Sequence, residues 1–133
     1  MYKQTLEKFD DSRGCLYPLE FEKLPFYPKR FFIISDVPQG EKRGGHAHYH
    51  TEQYLICLKG KIEVSLHDGE VESFIILEPM QGLLVPSLVW DSQSFLTGED
   101  ILLVLASTSY NREDYIESFS VFKALNENFI NRS

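Results

Sequence analysis

Between Arg43 and Gln53 the sequence runs RGGHAHYHTEQ, with three histidines in five positions and a glutamine at the end. Imidazole does two kinds of chemistry at neutral pH: it ligates transition metals, and with an ordinary pKa near 6.5 it takes up and releases protons. In a strand, alternate side chains share a face, so His46, His48 and His50 would point one way and Ala47 and Tyr49 the other. Turned inward, such a row loses hydration and calls for a partner or a role. A carboxylate would ordinarily complete a metal site, but the residue in line is Gln53, a neutral and weak ligand. Glu52 is adjacent, yet one step along a strand turns it to the opposite face. Without a metal, His46 and His48 keep their lone pairs and are free acid–base groups. Gln53 can hydrogen-bond a substrate oxygen or orient an imidazole, and adds no charge that would recruit a cation.

Residues of this kind need strands to aim them, and the chain supplies many. Short apolar runs are divided by turn signals at the spacing expected of a sandwich or barrel. RFFIISDVPQG, QYLICLKG, KIEVSLHDGE, VESFIILEP, GLLVPSLVW and EDILLVLAS follow one another. Asp68-Gly69 is a hairpin signal, and Ile62, Val64 and Leu66 alternate with polar partners. ILLVLA has little alternation and should be covered on both faces. Helical signal is confined to NREDYIESFSVFKALNENF, where Tyr115, Phe119 and Phe122 recur at helical spacing and Asn111 is a candidate N-cap. Those aromatics are expected to pack on the barrel. The fold class is therefore all-β: an antiparallel barrel or roll with a short C-terminal helical tail, whose mouth shelters binding chemistry.

A chain of 133 residues suits one domain, 1–133, able to bury about two thirds of its unfolded surface. Its net charge of -7 argues against nucleic acid or an anionic membrane as partner. Local basic clusters at Lys29-Arg30 and Lys42-Arg43 still admit an anionic small molecule. Cys15 and Cys57 are too few for a disulfide scaffold, and no run approaches the roughly 20 apolar residues that span a bilayer. A reducing cytoplasm is the expected location.

The histidine block resembles the first motif of the cupin superfamily: Gly40, five residues, His46-Ala47-His48, four residues, Gln53, six residues, Gly60. The second cupin motif has its counterpart in VPSLVWDSQ, with Leu88 in place of a glycine and Asp91 in place of a histidine. Two of four ligand positions have therefore changed. Within the cupins, RGGHAH followed by glutamine, with DSRGCLYPLE, LPFYPKRFFIISDVP and VLASTSYNREDYIESFSVF around it, is similar to the metal-independent nucleotide-sugar 3,4-ketoisomerases. The resemblance covers about residues 9 to 123.

That resemblance implies an isomerase acting on dTDP-4-keto-6-deoxyglucose without cofactor or metal. Its product would feed aminotransferases making 3-amino-3,6-dideoxyhexoses for surface glycans such as O-antigen or S-layer glycan. It implies His46 and His48 as the proton-transfer pair, and a homodimer that exchanges N-terminal strands. It also implies Arg13 and Arg30 as nucleotide or phosphate contacts. Where the family tends to have a tyrosine, this chain has Phe31 and Phe32. The chemistry matches the residue types: a carbonyl moves from C4 to C3 by loss of the C3 proton, an enediol(ate), and reprotonation at C4. His46 is the candidate base at C3, with His48 delivering the proton at C4 or polarising the carbonyl. Arg43 and Gln53 are candidates for stabilising the enediolate oxygens. Trp90, at the end of VPSLVW, either lines the sugar pocket or packs in the core. The competing readings are a metal-free 3,5-epimerase, a metal-dependent cupin and a non-catalytic sugar-sensing cupin.

Overall fold

In the computed structural model, which describes residues 1–131, twelve strands precede a single α-helix. They are β1 (Lys3–Thr5), β2 (Phe9–Asp11), β3 (Gly14–Leu16), β4 (Arg30–Ser35), β5 (Lys42–His48), β6 (Gln53–Lys59), β7 (Ile62–His67), β8 (Glu72–Leu77), β9 (Gln81–Val85), β10 (Trp90–Phe95), β11 (Ile101–Ala106) and β12 (Tyr115–Ile116). The helix, α1, runs Phe119–Asn131. Two five-stranded antiparallel sheets face each other, in the orders β1-β9-β6-β11-β4 and β12-β5-β10-β7-β8, and β2 and β3 form a separate hairpin. This is the expected antiparallel jelly roll with a helical tail. No helix among the described residues is long and apolar enough to cross a membrane.

The alternation in the sequence becomes the core directly. Ile62, Val64 and Leu66 of β7 are fully buried, as are Leu77, Leu83, Phe95 and Leu102 from the strands around them. ILLVLA is covered on both faces, as expected. Leu102 and Val104 join the inner core, while Leu103 and Leu105 pack outward under Leu6, Leu19, Leu24 and Phe26 of the N-terminal segment. At roughly 1.5–3 kcal/mol for each large apolar side chain buried, these two layers are the main source of stability.

The C-terminal stretch departs from expectation. No continuous helix begins near Asn111. Its side chain accepts from the backbone N–H of Glu113, capping a short 3-10 turn at Arg112–Asp114. Tyr115 and Ile116 then extend as β12 along β5. The helix starts at Phe119, where Ser118 Oγ accepts from Val121 N at 3.3 Å. Helical spacing of aromatics was a coincidence of two elements: Tyr115 belongs to the sheet, while Phe119 and Phe122 dock the helix on the outer face of β5 and β10 with Trp90, Ala47 and Ile116.

Two buried carboxyls shape this half of the roll. Asp114 accepts from the N–H groups of His50 and Thr51, 3.0 Å each, and from the Thr51 hydroxyl. It thereby ties β12 to the turn after β5. Asp91 on β10 is completely buried; it accepts from Gln93 Nε2, and its Oδ1 has no partner. Burial pushes its pKa up to about 7, partly offset by the Gln93 bond.

Two outcomes are expected. Replacing Asp114 with Ala removes the acceptor of the His50 and Thr51 N–H groups and the Thr51 hydroxyl and should lower unfolding free energy by about 3 kcal/mol, read by chemical denaturation. Asp91 has a folded pKa above its unfolded one, so its contribution is favourable below pH 4 and is lost as pH rises through about 7. Three pKa units correspond to roughly 4 kcal/mol. Asp91→Asn cannot ionise, and should raise the melting temperature by several degrees at pH 8 while leaving it nearly unchanged at pH 4.

Candidate active site

Strand β5 carries the histidines, and its register decides what they meet. Against β10, Arg43 pairs with Gln93 and His46 with Asp91, so three steps on β5 match two on β10. The extra residue is a bulge at Gly44-Gly45, where both glycines have positive φ (86° and 82°). A Cβ on Gly44 would stand 3.2 Å from both amide heavy atoms of Gln93 and from the Asp91 carbonyl, so the close approach also requires glycine. Strict alternation would send Arg43 and His46 to opposite faces. The bulge puts both on the inner face, with Asp91 and Gln93.

The inner face opens into a cavity of about 190 Å³ between the two sheets. Phe32 and Ile34 of β4, Arg43 and His46 of β5, Gln53 of β6, Gln93 of β10 and Tyr115 of β12 line it. His46 and His48 meet edge to face with ring centroids 5.1 Å apart, and His48 is only 4% exposed. His50 does not continue the row, because the strand ends at His48 and His50 is exposed in the turn. The pKa of His48 is pushed down to about 4, chiefly by burial, then by the His46 imidazole, with Asp114 opposing and Arg30 adding to the depression. His46 is lowered too, by burial, with Glu117 partly opposing. Both rings are therefore neutral at pH 7. The buried Nε2 of His48 has no hydrogen-bond partner among the described residues.

Tyr115 pairs with His48 across the β12–β5 ladder, and its ring lies 4.4 Å from that of His48 and 5.0 Å from that of His46. Its hydroxyl accepts from Arg30 Nη2 at 3.5 Å, the long limit of a hydrogen bond. The Arg30 guanidinium is itself stacked on Phe32 and Tyr110, 5.2 and 5.3 Å from the ring centroids, and its Nε is buried without a partner. Cation–π contacts hold it in place while leaving donor capacity free.

Of the residues singled out in the sequence, His46, Arg43 and Gln53 line this cavity; His48 stands beside it and Arg30 behind Tyr115. Trp90 does not reach it. Asp91, Gln93 and Phe95 take the inner face of β10, so Trp90 points outward and is covered by Phe119 and Phe122 of α1. Arg13 lies on the exposed β2–β3 hairpin, its side chain 89% exposed and paired with Asp11 at 2.7 Å, away from the cavity of its own chain. Cys57 is the buried small hydrophobe expected of it, and His67 packs on Phe119 beside the hairpin. Sequence reading passed over Gln93 and took Tyr115 for core packing. Gln93 had a usable signal, standing two residues beyond Asp91 and hence on the same face. Tyr115 had none, because its strand is only two residues long. Among the described residues, no three His, Cys, Asp or Glu side chains come together so as to hold a metal ion.

Comparison with known proteins gives a consistent picture. The model of the family described as FdtA, WxcM-like, C-terminal, matches residues 2–127. A TDP-4-oxo-6-deoxy-alpha-D-glucose-3,4-oxoisomerase of Aneurinibacillus thermoaerophilus is 40% identical over 121 residues, covering 90% of this chain and 87% of that one. A 3,4-ketoisomerase from Helicobacter canadensis superposes with a TM-score of 0.90 at 35% identity, over 95% of this chain and 96% of the other. A sugar 3,4-ketoisomerase from Thermoanaerobacterium thermosaccharolyticum, in complex with TDP, superposes with a TM-score of 0.90 at 32% identity, over 96% and 94%. A histidine-to-asparagine variant of that enzyme holds TDP-4-keto-6-deoxyglucose. With a family match across almost its whole length and relatives at 32 to 40% identity, the chain belongs to the FdtA, WxcM-like C-terminal family.

Proposed function

We propose that this protein is a sugar 3,4-ketoisomerase that converts a TDP-linked 4-keto-6-deoxyglucose to the 3-keto isomer. The observation that carries the reading is the pair of neutral imidazoles at one cavity shared with Arg43, Gln53 and Tyr115, in a chain of this family. A base must be unprotonated to remove a carbon-bound hydrogen, and burial keeps His46 in that form at neutral pH. His46 faces the cavity and is assigned as the base at C3. His48 sits deeper and edge-on to it, suited to passing the proton to C4 or to polarising the carbonyl. Because both rings are neutral at rest, with neither an imidazolium, the proton delivered to C4 is the one taken from C3 or one exchanged for it from solvent.

Arg43 and Gln53 are assigned to the oxygens of the enediolate, as donors preset around developing negative charge. The cavity is smaller than the roughly 300–1,000 Å³ of sites that enclose a whole drug-sized ligand. It suits the sugar ring, with the nucleotide outside it, where Arg30 can meet a phosphate oxygen through its planar fork. The 3-keto product is what an aminotransferase installing nitrogen at C3 requires, consistent with a place in 3-amino-3,6-dideoxyhexose formation.

A homodimer fits the surface. Phe31 and Ile33 on the outer face of β4 are 65% and 54% exposed, and Phe9 and Leu16 of the β2–β3 hairpin are bare as well. Exchange of N-terminal strands would cover this apolar surface and bring Arg13 to a neighbouring subunit.

Incubation of the protein with TDP-4-keto-6-deoxyglucose in deuterated buffer, followed by NMR of the ring, should show deuterium at C3 or C4 and accumulation of the 3-keto sugar. His46→Asn should fold normally and lose turnover by about 10²–10⁴-fold, and His48→Asn likewise. Near wild-type rates in both would end the assignment. Light scattering should give twice the 15.4 kDa chain mass, and Ile33→Glu should shift it toward one chain.

A further inference from the structure

Moving a carbonyl between neighbouring carbons relocates two hydrogens. One leaves C3 and one arrives at C4, which is the transfer assigned to the histidines. In parallel, O3 must lose its hydroxyl proton as it becomes the carbonyl oxygen, and O4 must gain one. The imidazoles already serve the carbons, so a second acid–base group is needed on the oxygen side. Amide and guanidinium groups are poor candidates, since glutamine does not titrate and arginine stays protonated. Among the residues lining the cavity apart from His46, only Tyr115 carries an exchangeable proton on a group that can both give and take it.

Its placement fits that task. The ring is held against both imidazoles, and the hydroxyl oxygen already accepts from Arg30 Nη2. That contact leaves the phenolic O–H to donate elsewhere, and no protein acceptor takes it among the described residues. Titratable and charged groups near it include Arg30 on β4, His46 and His48 on β5, and Tyr110 against its ring at 5.9 Å, with Asp114 and Glu117 acting on the same imidazoles. The Arg30 guanidinium facing the phenol oxygen is a donor that stays in place when the phenol gives up its proton.

Resting on the ketoisomerase reading, we propose that Tyr115, backed by Arg30, is the acid–base residue that carries the hydroxyl proton from O3 to O4. As His46 takes the C3 hydrogen, the C3–H electron pair becomes the C3=C4 bond and the carbonyl π pair moves to O4. O4 takes the Tyr115 proton, giving an enediol and a phenolate beside Arg30. The phenolate then takes the O3 proton, the O3–H pair becomes the C3=O bond, and the C3=C4 pair captures at C4 the proton held by the imidazoles. Every group returns to its starting state, and no oxidant or external acid is consumed.

The test uses the full chain with TDP-4-keto-6-deoxyglucose. Tyr115→Phe loses only the hydroxyl, and is expected to lower kcat by about 100-fold or more with KM little changed. Placing 3-fluorotyrosine at position 115 keeps the ring and its packing but acidifies the phenol. It should move the alkaline limb of the pH–kcat profile to lower pH. Wild-type kcat in Tyr115→Phe, or an alkaline limb that the fluorinated residue leaves in place, would overturn the proposal. A wild-type protein that fails to turn the sugar over would instead overturn the ketoisomerase reading on which it rests.

Discussion

One extra residue in β5 is the constraint on which the site depends. The bulge at Gly44-Gly45 lets three residues of β5 span two of β10, and so brings Arg43 and His46 onto the same inner face. Beyond it, ordinary alternation resumes and carries His48 inward as well. From that register the neighbours follow by cross-strand pairing: Asp91 opposite His46, and Tyr115 opposite His48. A strand of seven residues thus gathers two imidazoles and a cationic side chain around one opening. Asp114 completes the arrangement by holding β12 against the turn where β5 ends.

Burial then sets the chemistry. Desolvation depresses both imidazoles and raises the Asp91 carboxyl, so the groups at this end of the roll tend toward their neutral forms. A neutral imidazole is a competent base. Among the described residues, three buried polar atoms, Arg30 Nε, His48 Nε2 and Asp91 Oδ1, lack partners. Unsatisfied groups of this kind cost about 1–3 kcal/mol each. Two of the three belong to residues at or behind the proposed site, where strain and unmet hydrogen bonds are commonly tolerated because binding satisfies them.

The two sheets present different outer faces. On the second, α1 covers Trp90 and Ala47 with Phe119 and Phe122, closing that side of the barrel. On the first, the N-terminal segment covers Tyr54, Ile56 and Leu105 but leaves Phe31 and Ile33 bare at the β4 edge. The inner faces of both sheets make the core and the cavity together, so the site is continuous with the packing that stabilises the fold.

Much of this was legible in the amino-acid order. Alternating Ile62, Val64 and Leu66, the Asp68-Gly69 hairpin and the double-faced ILLVLA run specify antiparallel strands through local propensity and period, which act over a few residues. The His-x-His spacing and the amide at Gln53 marked the stretch that lies at the cavity for the same reason. What the tertiary structure alone decided concerns register and length. Period-two counting places Arg43 opposite to His46, and only pairing with β10 reveals the bulge that reverses this. Trp90 could have faced either way until the sheet assigned Asp91 and Gln93 inward. Tyr115 carried a helical signal shared with Phe119 and Phe122, yet two residues of strand pairing against β5 outweighed it. Such outcomes depend on contacts between segments dozens of residues apart, and local patterning carries no information about them.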